Sequence, residues 1–180
     1  MNYSDPSALG IIACPGGERF AELVIRRLSG IYKRRFDKKT QMLVERYGMS
    51  KEKAAETLNL HNDLQARQLY IPGDIRRYKA PQLKVHTRFS YFANGEIKTE
   101  ILESIRGKDV YIIQDIENHQ PVRFNDGRDQ QKLSINDHIF CLLTAIDAAV
   151  QSGAGRISLI LPAYPYSRQH KKKGREGLTA

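Results

Sequence analysis

The stretch "YPYSRQHKKKGR" ends in a basic cluster. Five of the eight residues from Arg168 to Arg175 are Lys or Arg, and they follow the apolar run "RISLILP" closely. Arg holds phosphate oxygens in a bidentate fork, and Lys adds point charge. Gln169 carries both a donor and an acceptor, which suits a base edge or a ribose. Taken by residue type alone, the cluster is either a solvated tail or an anion site. Tyr164 and Tyr166 interleave with the cations, as in single-strand nucleic-acid binders. Yet no helix-turn-helix, zinc-finger or RNA-recognition signature accompanies them. The glycine turn "CPGG" could cradle phosphate but lacks the Lys and Ser/Thr of a P-loop. No Ser-His-Asp order, carboxylate pair or metal-ligand spacing stands out, and His119 and His138 read as loop and helix residues.

Position gives the cluster meaning. In open parallel sheets ligands gather at the carboxyl ends of strands, and this run begins just past such an end. The elements that must hold it are readable as patterns. "GIIACPGG" is a buried strand entering a tight turn. "ERFAELVIRRLSGIY" then repeats Phe20, Leu23, Val24, Leu28 and Ile31 at helical spacing, which predicts one face packed on the sheet. From Lys33 to about Lys84 the chain turns polar and rich in helix formers. Gly48 fits a helix stop and Ser50 a following N-cap, giving two helices in a helical insertion over about 33–84. Lys33 to Arg35 read there as a solvated helix end.

"KVHTRFSYFANGEIKTEILES" reads as strands around a turn at Asn94-Gly95. "KDVYIIQ" is a second buried strand, and "DIENHQPVRFNDGRDQQ" a polar loop. Ser134 or Asn136 can cap the next helix, whose positions Ile139, Leu142, Leu143, Ile146 and Val150 would line one face until Gly153 ends it. "RISLILP" is the third buried strand. Strand, helix and strand in this order predict a right-handed parallel crossover and a sheet covered on both sides.

Composition sets outer bounds. Hydrophobic residues make up 41% and charged residues 27%, ordinary values for a globular protein, and 180 residues suffice for a full core. No apolar run is long enough for a transmembrane helix, and the N-terminus lacks the basic region of a signal peptide. Cys14 and Cys141 sit in apolar contexts as expected free thiols, and a cytoplasmic location follows. The net charge of +9 favours anionic partners without choosing among them.

Four stretches, "FANGEI", "ESIRGKDVYIIQ", "INDHIFCLLTAIDAAVQSGAGRISLILPAYPYSRQHKKK" and "REGLTA", together resemble the N-terminal half of ribose-phosphate pyrophosphokinase. "IIACPGGERFAELVIRRL" is similar to that family's first strand and helix, so the resemblance covers about residues 9–32 and 85–180. It implies a three-layer α/β/α fold with a mostly parallel sheet, phosphoribosyltransferase-like, in which residues 1–180 are the nucleotide-side domain. It implies transfer of a diphosphoryl group from MgATP to the C1 hydroxyl of ribose 5-phosphate, with Mg2+ entering alongside ATP. Arg168, Gln169, Lys171, Lys172 and Lys173 are the implied ATP-binding residues. Phe92, Asn94 and Glu96 would reach the adenine of a neighbouring subunit's site, which implies a homo-oligomer. Ser104, Arg106 and Arg175 match positions that bind phosphate or ADP in regulated members.

Two departures stand out. His170 occupies the place of the family's usual Asp, and the segment 33–84 is extra. The family's ribose-phosphate loop, metal-binding Asp and catalytic flap have no counterpart up to Ala180, so the fragment alone is expected to be inactive. A non-catalytic, synthetase-associated regulatory partner is the second reading. A nucleic-acid-binding domain is the third, and neither nucleic acid nor membrane is expected as a partner on the first.

Overall fold

The computed structural model describes residues 9–65, 74–127, 129–167 and 174–175. Three short apolar runs form one parallel sheet: β1 (Leu9–Ala13), β4 (Asp109–Ile113) and β7 (Arg156–Ile160), in the order β1-β4-β7. Its register pairs Ile12 with Ile112 and Ile112 with Leu159. Side chains alternate across a strand, and in β1 and β4 both faces are buried. β7, expected as a third buried strand, lies at the end of the strand order with Arg156 and Leu159 exposed. Ile11 and Ile113 face α1 (Glu18–Tyr47) together with Ala21, while Ile12, Val110 and Ile112 face α3 (Ile135–Gln151) together with Cys141 and Ala145. Helix on one side and helix on the other make three layers, as the crossover pattern predicts. Each of these sheet isoleucines is at most 1% exposed, a burial that stabilises by roughly 1.5–3 kcal/mol per side chain.

The helix expected to pack early in the chain is present, but its face differs. Ala21, Val24, Ile25, Leu28 and Tyr32 meet the sheet, whereas Phe20 and Leu23 are exposed. The change of composition at Lys33 leaves no break, because no Pro or helix stop intervenes. The helix runs 30 residues until Gly48, whose φ of 63° lets its N–H reach the Val44 carbonyl at 3.0 Å. Ser50 then caps α2 (Lys51–Gln65), its hydroxyl accepting from the Lys53 N–H at 3.2 Å.

α2 packs back on α1 as a helical hairpin, over the buried Phe36 and Thr40. Asn59, 2% exposed, fastens the returning chain: its amide donates to the Ile75 and Arg77 carbonyls, each at 2.7 Å. Tyr78 meets Phe36 edge to face at 5.2 Å between ring centres.

β2 (Thr87–Tyr91) and β3 (Ile97–Ile101) form the expected antiparallel hairpin. It lies on α3, where the Thr99 and Thr144 hydroxyls are 2.8 Å apart. The polar loop expected after β4 instead contains a second, small hairpin, β5 (Val122–Phe124) and β6 (Asp129–Gln131), closed by a 3-10 turn at Asn125–Gly127. Phe124 is 1% exposed and packs on Tyr91.

α3 starts at Ser134 in a capping box with Asp137 and ends at Ser152, with Gly153 at φ 75°. Its packed face includes Leu142 and Ile146 as expected, but not all of its large apolar residues. His138, Cys141, Leu142, Ala145 and Ala149 are buried, while Leu143 and Val150 stand exposed.

Candidate nucleotide end of the sheet

Three strands deliver three connections to one edge. After β1 the chain makes the turn Pro15-Gly16-Gly17. Gly16 sits at φ 96°, and a Cβ on Gly17 would lie 2.7 Å from the Ile113 carbonyl oxygen, so glycine alone lets this turn close against β4. After β4 comes Gln114, fully buried. Its amide nitrogen donates to the Pro15 carbonyl at 3.3 Å and to His138 Nδ1 at 2.7 Å. With Nδ1 accepting, Nε2 carries the ring proton and donates to the Asn118 carbonyl at 3.0 Å. Among the described residues the Gln114 oxygen has no partner. This chain of contacts ties the β1 turn, the loop after β4 and the start of α3 into one platform.

Glu18 opens α1 beside it, its carboxylate accepting from the Gly16 N–H at 2.7 Å. Burial pushes its pKa up, against the lowering effect of the N–H groups of Glu18 and Gly16 and of Lys84. Two openings flank this carboxylate. One, of about 190 Å³, is lined by Lys84, Arg88 and Arg123; the other, of about 760 Å³, by Arg19, Asp115 and Asn118 among others.

After β7 the chain leaves through Pro162 to Ser167. Tyr166, at φ 57°, hydrogen-bonds the Asn136 side chain in the first turn of α3. The connection into the basic run is thereby anchored at the carboxyl edge. Arg168, Gln169, His170, Lys171, Lys172 and Lys173 lie outside the described residues. Arg175 is exposed.

Phe92, Asn94 and Glu96 share the tip of the β2–β3 hairpin. Phe92 and Glu96 close its neck, with the Phe92 N–H donating to the Glu96 carbonyl at 2.9 Å. Gly95 donates back to the Phe92 carbonyl at 2.9 Å and holds φ 86°. The result is a three-residue loop, a type I turn followed by a left-handed glycine, rather than a two-residue turn. Asn94 Oδ1 accepts from the Glu96 N–H at 3.1 Å, which leaves the Asn94 amide group to donate outward. All three side chains are exposed, Phe92 by 46%.

Ser104 and Arg106 sit elsewhere, exposed in the turn entering β4, at the amino edge of the sheet. Gly107 in that turn donates to the Gly153 carbonyl at 2.8 Å, which docks it on the end of α3. A five-residue strand spans about 16 Å, so this turn and the carboxyl edge lie on opposite margins.

Among the described residues, no group of three or more His, Cys, Asp or Glu is placed to hold a metal ion. No described helix is long and apolar enough to cross a membrane. Sequence reasoning passed over Gln114 and the small β5–β6 hairpin. Gln114 carried a usable signal: a polar residue at the end of an apolar run, at the strand terminus where ligands gather.

Residues 75–180 match the family model described as the N-terminal domain of ribose phosphate pyrophosphokinase; β1, α1 and α2 precede that stretch. A ribose-phosphate pyrophosphokinase of Nostoc sp. is 40% identical over 111 residues, 61% of this chain and 29% of that protein. One of Clostridium acetobutylicum is 37% identical over 95 residues, 52% of this chain and 25% of that protein. A solved phosphoribosylpyrophosphate synthetase from Mycobacterium smegmatis is 34% identical, covers 54% of this chain and 28% of its own, and superposes with a TM-score of 0.41. The chain thus spans under a third of the length of these relatives.

Proposed function

The chain belongs to the family of the N-terminal domain of ribose-phosphate pyrophosphokinase, and from that premise we propose that it forms the nucleotide side of a diphosphoryl-transferring enzyme. The reaction moves the terminal diphosphoryl group of MgATP to the C1 hydroxyl of ribose 5-phosphate and releases AMP. The family match carries this reading, because the matched stretch takes in both the exposed hairpin tip and the loop that leaves β7.

Arg168 forks the phosphate oxygens, Lys171, Lys172 and Lys173 supply neutralising charge, and Gln169 pairs with the nucleoside. Mg2+ would enter bound to the nucleotide phosphates and would supply further charge neutralisation there. Phe92 offers a stacking face to adenine in a neighbouring subunit, where Asn94 and Glu96 hydrogen-bond its edge. The protein is accordingly a homo-oligomer, and it works in the cytoplasm. Ser104, Arg106 and Arg175 receive a regulatory phosphate. They need not converge within one chain if subunits complete the pocket together.

Isothermal titration calorimetry with MgATP tests the nucleotide half directly. Binding that falls at least about tenfold in Arg168→Ala, a loss of one charge-assisted bidentate contact, supports the reading. Unchanged binding in that variant removes it. Turnover is tested on the whole protein, as AMP release that requires ribose 5-phosphate. MgATP uptake without any AMP release would favour the regulatory partner, a role to which His170 in the place of an Asp also points.

A further inference from the structure

The 30-residue helix α1 is longer than the sheet it covers. Its sheet contacts end with Tyr32, and the remaining residues to Tyr47 run beyond it, backed on one side by α2. Lys33 to Arg35, read from sequence as a solvated helix end, therefore lie in mid-helix. At 100° per residue, Arg27, Arg34, Lys38, Lys39 and Arg46 fall on one side of this helix, with Met42 among them. All six are exposed. Glu45 shares the side, its carboxylate taking a hydrogen bond from the Gln41 amide at 2.7 Å. The opposite side, carrying Phe36 and Thr40, is buried under α2.

We propose that this cationic stripe, which runs from Arg27 beside the sheet onto the overhanging half of α1, binds the phosphate backbone of a nucleic acid without sequence preference. The span from Arg27 to Arg46 is about 28 Å, roughly eight base pairs of duplex at 3.4 Å per step. A basic stripe along one helix in a protein with a pI near 9.6 is the electrostatic footprint of nucleic-acid binding. An acidic protein surface fits less well, because protein interfaces rest on buried apolar anchors, and Met42 is the apolar residue within the stripe. The stripe lies wholly outside residues 75–180, so this inference is independent of the nucleotide-side reading.

Fluorescence anisotropy with a labelled 20-base-pair duplex of arbitrary sequence tests it on the full chain. Five phosphate contacts predict a slope of log K against log salt of about −4.5, and each cation removed should lower its magnitude by about 0.9. Lys38→Glu with Lys39→Glu should weaken binding at least about tenfold at low salt. Both positions are exposed, and an unchanged circular dichroism spectrum would establish that the variant is folded. The milder pair Lys38→Gln with Lys39→Gln should lower the slope's magnitude by about 1.8, with a corresponding loss of low-salt affinity. A parallel variant, Lys171→Gln with Lys172→Gln and Lys173→Gln, should bind the duplex as the parent does. The proposal is overturned if the parent fails to bind, if the loop variant loses binding while the helix variant keeps it, or if MgATP competes the duplex away. Association with anionic vesicles but not with duplex would overturn it equally.

Discussion

Replacing His138 by Leu isolates the platform at the carboxyl edge. The ring is 1% exposed and bridges two elements, accepting from Gln114 at 2.7 Å and donating to Asn118 at 3.0 Å. Leucine fills a similar volume, so the cavity contribution is small. What is lost is a partner for a buried amide N–H and one for a half-buried carbonyl. A buried donor left unsatisfied costs about 1–3 kcal/mol, and the carbonyl, which water can reach, nearer 1. His138→Leu should therefore destabilise by about 2–4 kcal/mol, a large share of the 5–15 kcal/mol that holds a typical domain together. Urea unfolding followed by circular dichroism reads this as a lower midpoint at unchanged slope. The decisive measurement is the double variant. Gln114 already has a buried oxygen without a partner among the described residues, so Gln114→Leu added to His138→Leu removes unsatisfied groups instead of creating more. The pair should cost less than the sum of the single changes, by about 1–2 kcal/mol. An additive cycle, or a single-variant loss below about 1 kcal/mol, would refute the claim that His138 satisfies a buried Gln114 amide.

Other expectations are more local. Ser134→Ala removes one half of the capping box and should cost about 1 kcal/mol in the same unfolding assay. Gly155→Ala puts a Cβ 2.8 Å from the Gly107 carbonyl oxygen, backbone that cannot swing away, and should cost more than about 1 kcal/mol. Phe92→Ala should leave stability nearly unchanged in urea unfolding, since the ring is half exposed, and under the proposed function should weaken MgATP binding by calorimetry. Glu18 has a folded pKa raised by burial, so its folded state holds the proton more tightly than the unfolded chain does. Stability from this group is then full below the unfolded value near 4.5 and falls as pH rises through the folded pKa. Glu18→Gln should accordingly unfold at higher urea than the parent at neutral pH, with the difference disappearing below pH 4.5. Burial pushes the Cys141 thiol up to about 12 and Cys14 well above its usual range. A disulfide reagent at pH 8 should therefore label neither until the protein unfolds.

The strands were legible because burial on both faces leaves continuous apolar runs in "GIIA" and "DVYII", and "RISLI" also became a strand although its Leu159 stands exposed. Helix faces were less legible. In α3 the eye falls on Leu143 and Val150, yet Cys141, Ala145 and Ala149 face the sheet at a spacing of four. Small side chains let a helix sit close to β4, a matter of distance that a count of large apolar residues misses. α1 was split at Lys33 because its outward face turns charged there, while Phe36 and Thr40 keep the buried side going underneath. The β5–β6 hairpin escaped notice because its inward pattern is two residues, Val122 and Phe124, too short to stand out from a polar stretch. At the candidate site, residue types pointed to the basic run and the hairpin tip. Residue types and spacing along one chain do not say whether the two come together, and the basic run Arg168 to Lys173 lies outside the described residues.

The three-residue loop at the hairpin tip carries a consequence for how this protein can change in length. Gly95 sets a pairing in which Phe89 faces Thr99 and Tyr91 faces Ile97. Deleting Ala93 would leave the Phe92–Glu96 closing pair joined by a two-residue Asn-Gly turn. A residue added between Glu96 and Ile97 would instead slide one strand past the other by a single position. Because side chains point to alternate faces, that slip turns Ile97, Thr99 and Ile101 outward and exchanges the Thr99–Thr144 contact for a lysine or a glutamate against α3. Insertions tolerated within β3 should therefore come in twos, and a single residue inserted there should cost the hairpin its seat on the helix.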